Sequence, residues 1–200
     1  IAIPTTAGTG AEATHFAVLY LEGTKYSLAL PELLPAVSVL DSTYLDNLPR
    51  HVAASSTFDA LCQSIESFWA KGANRESREY SEKSLKILIE LLPRAIIRPD
   101  ASDNDNLLRA ANLAGKAINI TKTTAPHALS YRLTSAHGIS HGHAAAMTLG
   151  AFFVFHESAI KGGEFDVASL RELEEISCRL YSILGVGSAG AAYTKWYQLM

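Results

Sequence analysis

Residues Ala125 to Ala146, APHALSYRLTSAHGISHGHAAA, hold four of the chain's seven histidines: His127, His137, His141 and His143. Neutral imidazole is the commonest protein ligand for metals such as Zn2+ and Fe2+. His127 follows Pro126, which suits the first turn of a helix, and His141 follows Ser140, which suits an N-cap. Two such helix starts, separated by a chain break at Gly138, can converge on one ion. His143 lies two residues after His141 and points elsewhere around a helix, so His137 and His143 are read as ordinary polar residues at loop and helix edges.

A carboxylate is available to join them. FDALCQSIES places Asp59, Gln63 and Glu66 at i, i+4 and i+7, which is one face of a helix. One Asp with two or three His makes a divalent-metal site, tighter than a magnesium site of carboxylates and water. The neighbours Phe58, Leu61 and Ile65 are apolar, so Asp59 lies on or beside the buried side, where it needs an opposite charge, hydrogen bonds or a metal. Backbone donors of a neighbouring loop would satisfy it equally, and the residues alone leave both readings open. A third feature is TTAGTG, Thr5 to Gly10, a small-residue loop after a short apolar run. Its amides and hydroxyls suit a phosphate or a nicotinamide edge, but it is neither G-x-G-x-x-G nor a Walker loop, and a plain turn fits it as well.

The elements that must position these residues change character along the chain. Ile1–Ile3 and Ala36–Asp41 read as strands, and Phe16–Leu21 with Tyr26–Leu30 reads as a hairpin around EGTK. From Pro49 the period becomes helical. Helices are expected over Arg50–Ala70, over Glu76–Ile97 with Pro93 kinking or shortening it, and over Asp103–Ile120. Further helices are expected from Pro126 to about Leu133, from His141 to about His156, over Arg171–Leu184, and from Tyr193 to Met200. The expected fold class is mainly α: a helical domain, residues 49–200, preceded by a small β portion, residues 1–48.

Composition narrows the partners. The chain is 48% hydrophobic and 18% charged with a formal net charge of −3, the profile of a soluble globular protein. Lys and Arg are scattered, so no basic patch points to nucleic acid. AAAMTLGAFFVF is too short to span a bilayer and reads as a buried helix, so no membrane partner is expected. Cys62 and Cys178 form no C-x-x-C pair, which argues against a zinc knuckle and suits a reducing cytoplasm.

Taken in order, PTTAGTGAEAT, DALCQSIES and HALSY…SHGHAAA resemble the iron-containing (group III) alcohol dehydrogenase family. VLDSTYLDNLPRHVAASSTFDAL resembles that family's link from its nucleotide domain into its helical domain. The resemblance implies an α/β domain that binds NAD or NADP, of which residues 1–48 are the remnant, and a helical domain, residues 49–200, that holds Fe2+ or Zn2+. It implies a metal set at Asp59, Gln63, His127 and His141, with Thr5, Thr6, Gly8, Thr9 and Gly10 on the cofactor side. Gln63 departs from the family, which usually has His there. An amide oxygen is neutral, harder and weaker as a ligand, so the ion is held less tightly, by Gln63 or by water, or is lost. Tyr131 stands where many members carry a second His, and its hydroxyl can take over the proton-relay role.

The family's G-G-G-S phosphate loop is not among these 200 residues, which implies a fragment of a longer enzyme that binds NAD(P) poorly by itself. Within the family, ITKTTAPHALSYRLTSAHGISHGHAAAM looks like the phosphonoacetaldehyde reductase subgroup. Arg75, Lys122 and Arg132 are candidates by charge to meet a phosphonate. The implied function is metal-assisted reduction of a small aldehyde to an alcohol in a cytoplasmic homodimer. The alternatives are a metal-dependent hydrolase built on the same ligands and a non-catalytic helical interaction domain.

Overall fold

Twelve consecutive residues, Thr57–Phe68, are all buried in the helix α1 (Arg50–Trp69), so α1 is enclosed on every side. A helix enclosed in this way needs apolar residues all round it or partners for its polar ones. Phe58, Leu61, Ile65 and Phe68 supply the apolar contacts. Several polar ones are partnered: Ser64 donates to the Ala60 carbonyl within the helix, and Ser67 accepts from the Thr121 hydroxyl at 2.9 Å. The computed structural model describes residues 1–22, 24–95, 100–163 and 167–200, and within them α1 is the axis of the molecule.

The helices around α1 are α2 (Arg75–Ala95), α3 (Ala101–Thr121), α4 (Ala125–His137), α5 (His141–Gly162), α6 (Val167–Leu184) and α7 (Ala189–Leu199). α2 is amphipathic and turns Leu85, Leu88, Leu91 and Leu92 inward. Pro93 stands in its last described turn without ending it, and residues 96–97 of the expected helix lie outside the described residues. α3 begins with a capping box in which the Asp100 side chain accepts from Asp103 N–H and Asp103 answers the Asp100 N–H. α5 runs past His156 to Gly162, α6 begins before Arg171, and α7 begins at Ala189 under a Ser188 cap. α7 packs on α5 through the buried Trp196, whose Nε1 donates to the Ala146 carbonyl at 2.8 Å.

The β portion is smaller than expected. β1 (Phe16–Leu21) and β2 (Thr24–Ala29) form an antiparallel hairpin with Phe16 opposite Ala29 and Leu21 opposite Thr24. Its turn is tighter than the EGTK reading, with Glu22 at a positive φ of 48°; residue 23 lies outside the described residues. Ile1–Ile3 and Ala36–Asp41 do not form strands. They meet in a single parallel bridge, Ala2 with Ser38, made by Ala2 N–H to the Val37 carbonyl and Val39 N–H to the Ala2 carbonyl. Pro4 and Pro35 flank the two segments and withhold the donors that would extend the ladder.

Candidate metal centre

Helical spacing on α1 stacks Asp59, Gln63 and Glu66, and all three are buried. α4 and α5 begin beside that face. Thr124 precedes α4 and Pro126 occupies its first turn, followed by His127, buried in the same turn. Ser140 stands at the N-cap position of α5 without a side-chain capping bond, and His141 is the first helical residue. α5 can approach α1 this closely because Gly142 has no side chain: a Cβ there would lie 2.0 Å from the Ser55 carbonyl oxygen and 2.8 Å from Asp59 Cβ.

The expected ligands converge. Asp59 Oδ1 lies 3.0 Å from His127 Nε2 and 3.9 Å from His141 Nε2. One ligand atom from each of Asp59, His127 and His141 falls within 4.8 Å of the other two. Gln63, one turn further along α1, is buried, and its Oε1 has no hydrogen-bond partner among the described residues. Its Nε2 donates weakly to the Thr9 carbonyl at 3.4 Å. An unpartnered buried carbonyl costs about 1–3 kcal/mol, and a cation is one way to satisfy it. A carboxylate and two imidazole nitrogens within reach of one another fit a divalent cation of the Zn2+ or Fe2+ type, and the Gln63 amide oxygen is one helical turn from Asp59 on the same face.

The rings are held from behind. His127 Nδ1 makes a very short hydrogen bond to Glu66 Oε1. Glu66 Oε2 accepts from the Thr124 amide at 2.6 Å and the Thr124 hydroxyl at 2.9 Å, and that hydroxyl accepts from Trp69 Nε1 at 3.0 Å. Burial disfavours a charged His127, but Glu66 and Asp59 on its two sides outweigh it and raise the ring to about 10. His141 is half-buried; its Nδ1 lies 3.2 Å from Ser130 Oγ. Tyr131 is partly exposed and its ring stacks on His141, centroids 5.8 Å apart and 6° from parallel. His137 and His143 are exposed and stand outside the group.

Glu66, Thr124 and Ser130 had no assigned part in the sequence reading. Glu66 carried a signal, the same helical face at i+7, whereas the other two enter only through the tertiary meeting of α1, α4 and α5. Of the candidate cofactor residues, Thr5, Thr6 and Thr9 line a cleft of about 300 Å³ with Pro4 and Glu12. Gly8 and Gly10 face inward instead. A Cβ on Gly8 would lie 2.6 Å from Ser56 Cβ, and Gly10, at a φ of +58°, abuts Gly115 of α3. These two glycines seat the loop against α1 and α3. The buried Glu12, accepting from Asn112 Nδ2 at 2.8 Å, ties it down further. Arg75 is ion-paired to Glu79 on α2, while Lys122 and Arg132 are exposed beside Thr121 and Tyr131.

Known proteins share this fold. Residues 53–199 match the model of the C-terminal part of the Fe-containing alcohol dehydrogenase family, and residues 1–42 match the iron-containing alcohol dehydrogenase model. A phosphonoacetaldehyde reductase of Streptomyces viridochromogenes is 36% identical over 195 residues, covering 96% of this chain and 49% of that protein. A sulfoacetaldehyde reductase of Bifidobacterium kashiwanohense, solved in complex with NAD+, superposes with a TM-score of 0.84 at 30% identity, covering 98% of this chain and 50% of that one. An iron-containing alcohol dehydrogenase of Thermotoga maritima does so with a TM-score of 0.81 at 30% identity, covering 98% and 50%. The chain spans about half the length of the first of these relatives. Its mainly helical fold, its ordered motifs and these matches together establish that the chain belongs to the iron-containing alcohol dehydrogenase family.

Proposed function

We propose that the chain serves NAD(P)-dependent, metal-assisted reduction of a small aldehyde, with Asp59, Gln63, His127 and His141 holding Fe2+ or Zn2+. The observation that carries this reading is the convergence of Asp59, His127 and His141 donors within 4.8 Å; one turn along α1 from Asp59, the buried Gln63 Oε1 lacks a partner among the described residues. When bound, the ion polarises the aldehyde carbonyl as a Lewis acid and the reduced nicotinamide supplies hydride. Thr5, Thr6 and Thr9, with Gly8 and Gly10 shaping the loop, bound the cleft that takes the cofactor edge. Tyr131, stacked on His141, delivers the proton that the product oxygen needs, so aldehyde, NAD(P)H and one proton become alcohol and NAD(P)+.

The substrate class is a two-carbon aldehyde bearing a tetrahedral oxyanion, with phosphonoacetaldehyde, reduced to 2-hydroxyethylphosphonate, as its leading member. Two similar proteins, one named for a phosphonate and one for a sulfonate of this kind, support that choice. Lys122 and Arg132 are the cations available to meet the oxyanion. In this reading residues 1–48 belong with the nucleotide domain and residues 49–200 form the metal domain. The enzyme works in the cytoplasm, in keeping with two unpaired cysteines and no described helix long and apolar enough to cross a membrane. It does so as a homodimer, to which the exposed Val18, Leu19, Leu21 and Leu28 of the hairpin lend apolar surface.

The test is NADH and NADPH oxidation by the full-length protein that carries these residues, with phosphonoacetaldehyde, sulfoacetaldehyde and propanal, before and after chelator treatment. Turnover that chelator abolishes and Fe2+ or Zn2+ restores is the expected result. Absence of turnover with every aldehyde overturns the reading, and hydrolysis without nicotinamide would favour the hydrolase instead.

A further inference from the structure

We propose that Glu66 is a positioning residue that fixes which nitrogen of His127 faces the metal. This rests on the metal centre described above. The His127 ring lies between two carboxylates: Nε2 is 3.0 Å from Asp59 Oδ1 on the metal side, and Nδ1 bonds Glu66 Oε1 on the other. A carboxylate can only accept, so Glu66 keeps the proton on Nδ1, and an ion would take the place of the proton on Nε2. Glu66 cannot turn away from this task. It is fully buried, and its second oxygen is held by two donors of Thr124, the amide at 2.6 Å and the hydroxyl at 2.9 Å.

The same bonds set the register of α4. Thr124 occupies the N-cap position of α4, yet its hydroxyl makes no capping bond to the helix; it donates to Glu66 instead. Trp69 Nε1 donates to that hydroxyl at 3.0 Å, which uses the oxygen's acceptor side and orients its proton towards Glu66. Glu66 and Trp69 both come from the last turn and a half of α1, so one end of that helix holds the first turn of α4 at two points. His127 sits three residues beyond Thr124, and its ring position follows from that anchorage.

Glu66→Gln separates this role from packing because it preserves volume while changing the hydrogen-bond logic. The Thr124 amide is an obligatory donor, so the glutamine oxygen must face it and the glutamine NH2 must face His127. That forces Nδ1 to accept and moves the proton to Nε2, where it occupies the metal's lone pair. The experiment titrates the full chain with Co2+ and follows the cobalt absorption bands, in wild type, Glu66→Gln and Thr124→Ser. Glu66→Gln should bind about 10–100-fold more weakly, the usual effect of losing such an outer partner, while Thr124→Ser, which keeps both donors, should bind as wild type does.

A second measurement needs no variant. In Zn2+-loaded wild type, nitrogen-15 NMR of the histidine rings should show His127 protonated on Nδ1 with Nε2 bound; the reverse assignment overturns the proposal. Equal Co2+ affinity of wild type and Glu66→Gln overturns the role of Glu66 and leaves the metal centre standing. Wild type that takes up neither Co2+ nor Zn2+ overturns the metal centre and this role with it.

Discussion

Gln63 carries two opposed effects. In the metal-free chain its Oε1 is buried without a partner among the described residues, a loss of about 1–3 kcal/mol. In the proposed site the same oxygen would become a ligand. Gln63→Leu, close in volume and without polar atoms, should therefore raise the melting temperature of the chelator-treated protein and weaken its binding of Co2+. A variant that lowers both, or raises both, would show that Gln63 is not poised between these states. The weak bond from its Nε2 to the Thr9 carbonyl, at 3.4 Å, is too long to reverse the sign.

At the scale of elements, the site depends on how closely α5 crosses α1. Gly142 makes that crossing, and nothing about its own backbone demands glycine, since its φ is not positive. The demand is steric. Alanine gains up to about 1 kcal/mol in helix propensity, but its Cβ would meet the Ser55 carbonyl oxygen at 2.0 Å, and backbone cannot rotate aside. Gly142→Ala should lower stability by about 1–3 kcal/mol in thermal or denaturant melts and reduce Co2+ affinity, because His141 moves with its helix. Gly190, in α7, has open space at its Cβ position, so Gly190→Ala should instead be neutral or stabilise by up to about 1 kcal/mol. The two glycines look alike in the sequence. Their difference lies entirely in what packs against them.

For the whole molecule, His156 ties packing to pH. Its ring meets Trp69 at 4.6 Å between centroids and packs beside Phe152 and Phe155, and burial lowers its affinity for a proton below the ordinary value near 6.5. The unfolded chain then binds the proton at a higher pH than the folded one. Stability contributed by the neutral ring is present above pH 6.5 and is lost as the pH falls through the lowered folded value. The cavity it borders, of about 540 Å³, also carries Lys71, Arg78 and Glu172. His156→Phe should flatten the decline in melting temperature between pH 6.5 and 5 relative to wild type; an unchanged slope would mean that the buried ring is not its source.

Much of this molecule was legible before any coordinates. The apolar period of residues 50–121 was sufficient for α1, α2 and α3 within a few residues at each end, because amphipathic faces repeat every 3.6 residues. α6 and α7 start earlier than their periodicity suggested; α7 opens with the small residues Ala189–Ala192, which carry little apolar signal. Ile1–Ile3 and Ala36–Asp41 read as strands and meet only at one bridge, because a strand needs a neighbour that local sequence cannot supply. At the site, the sequence by itself determined that Asp59, Gln63 and Glu66 share one face of a helix and that His127 and His141 stand at helix starts. The tertiary structure alone decided that His127 turns Nε2 to Asp59 and Nδ1 to Glu66. A ring's orientation depends on donors and acceptors brought from distant elements. Here that is Thr124, 58 residues from Glu66 in the chain, donating to it while it accepts from Trp69, 55 residues from Thr124.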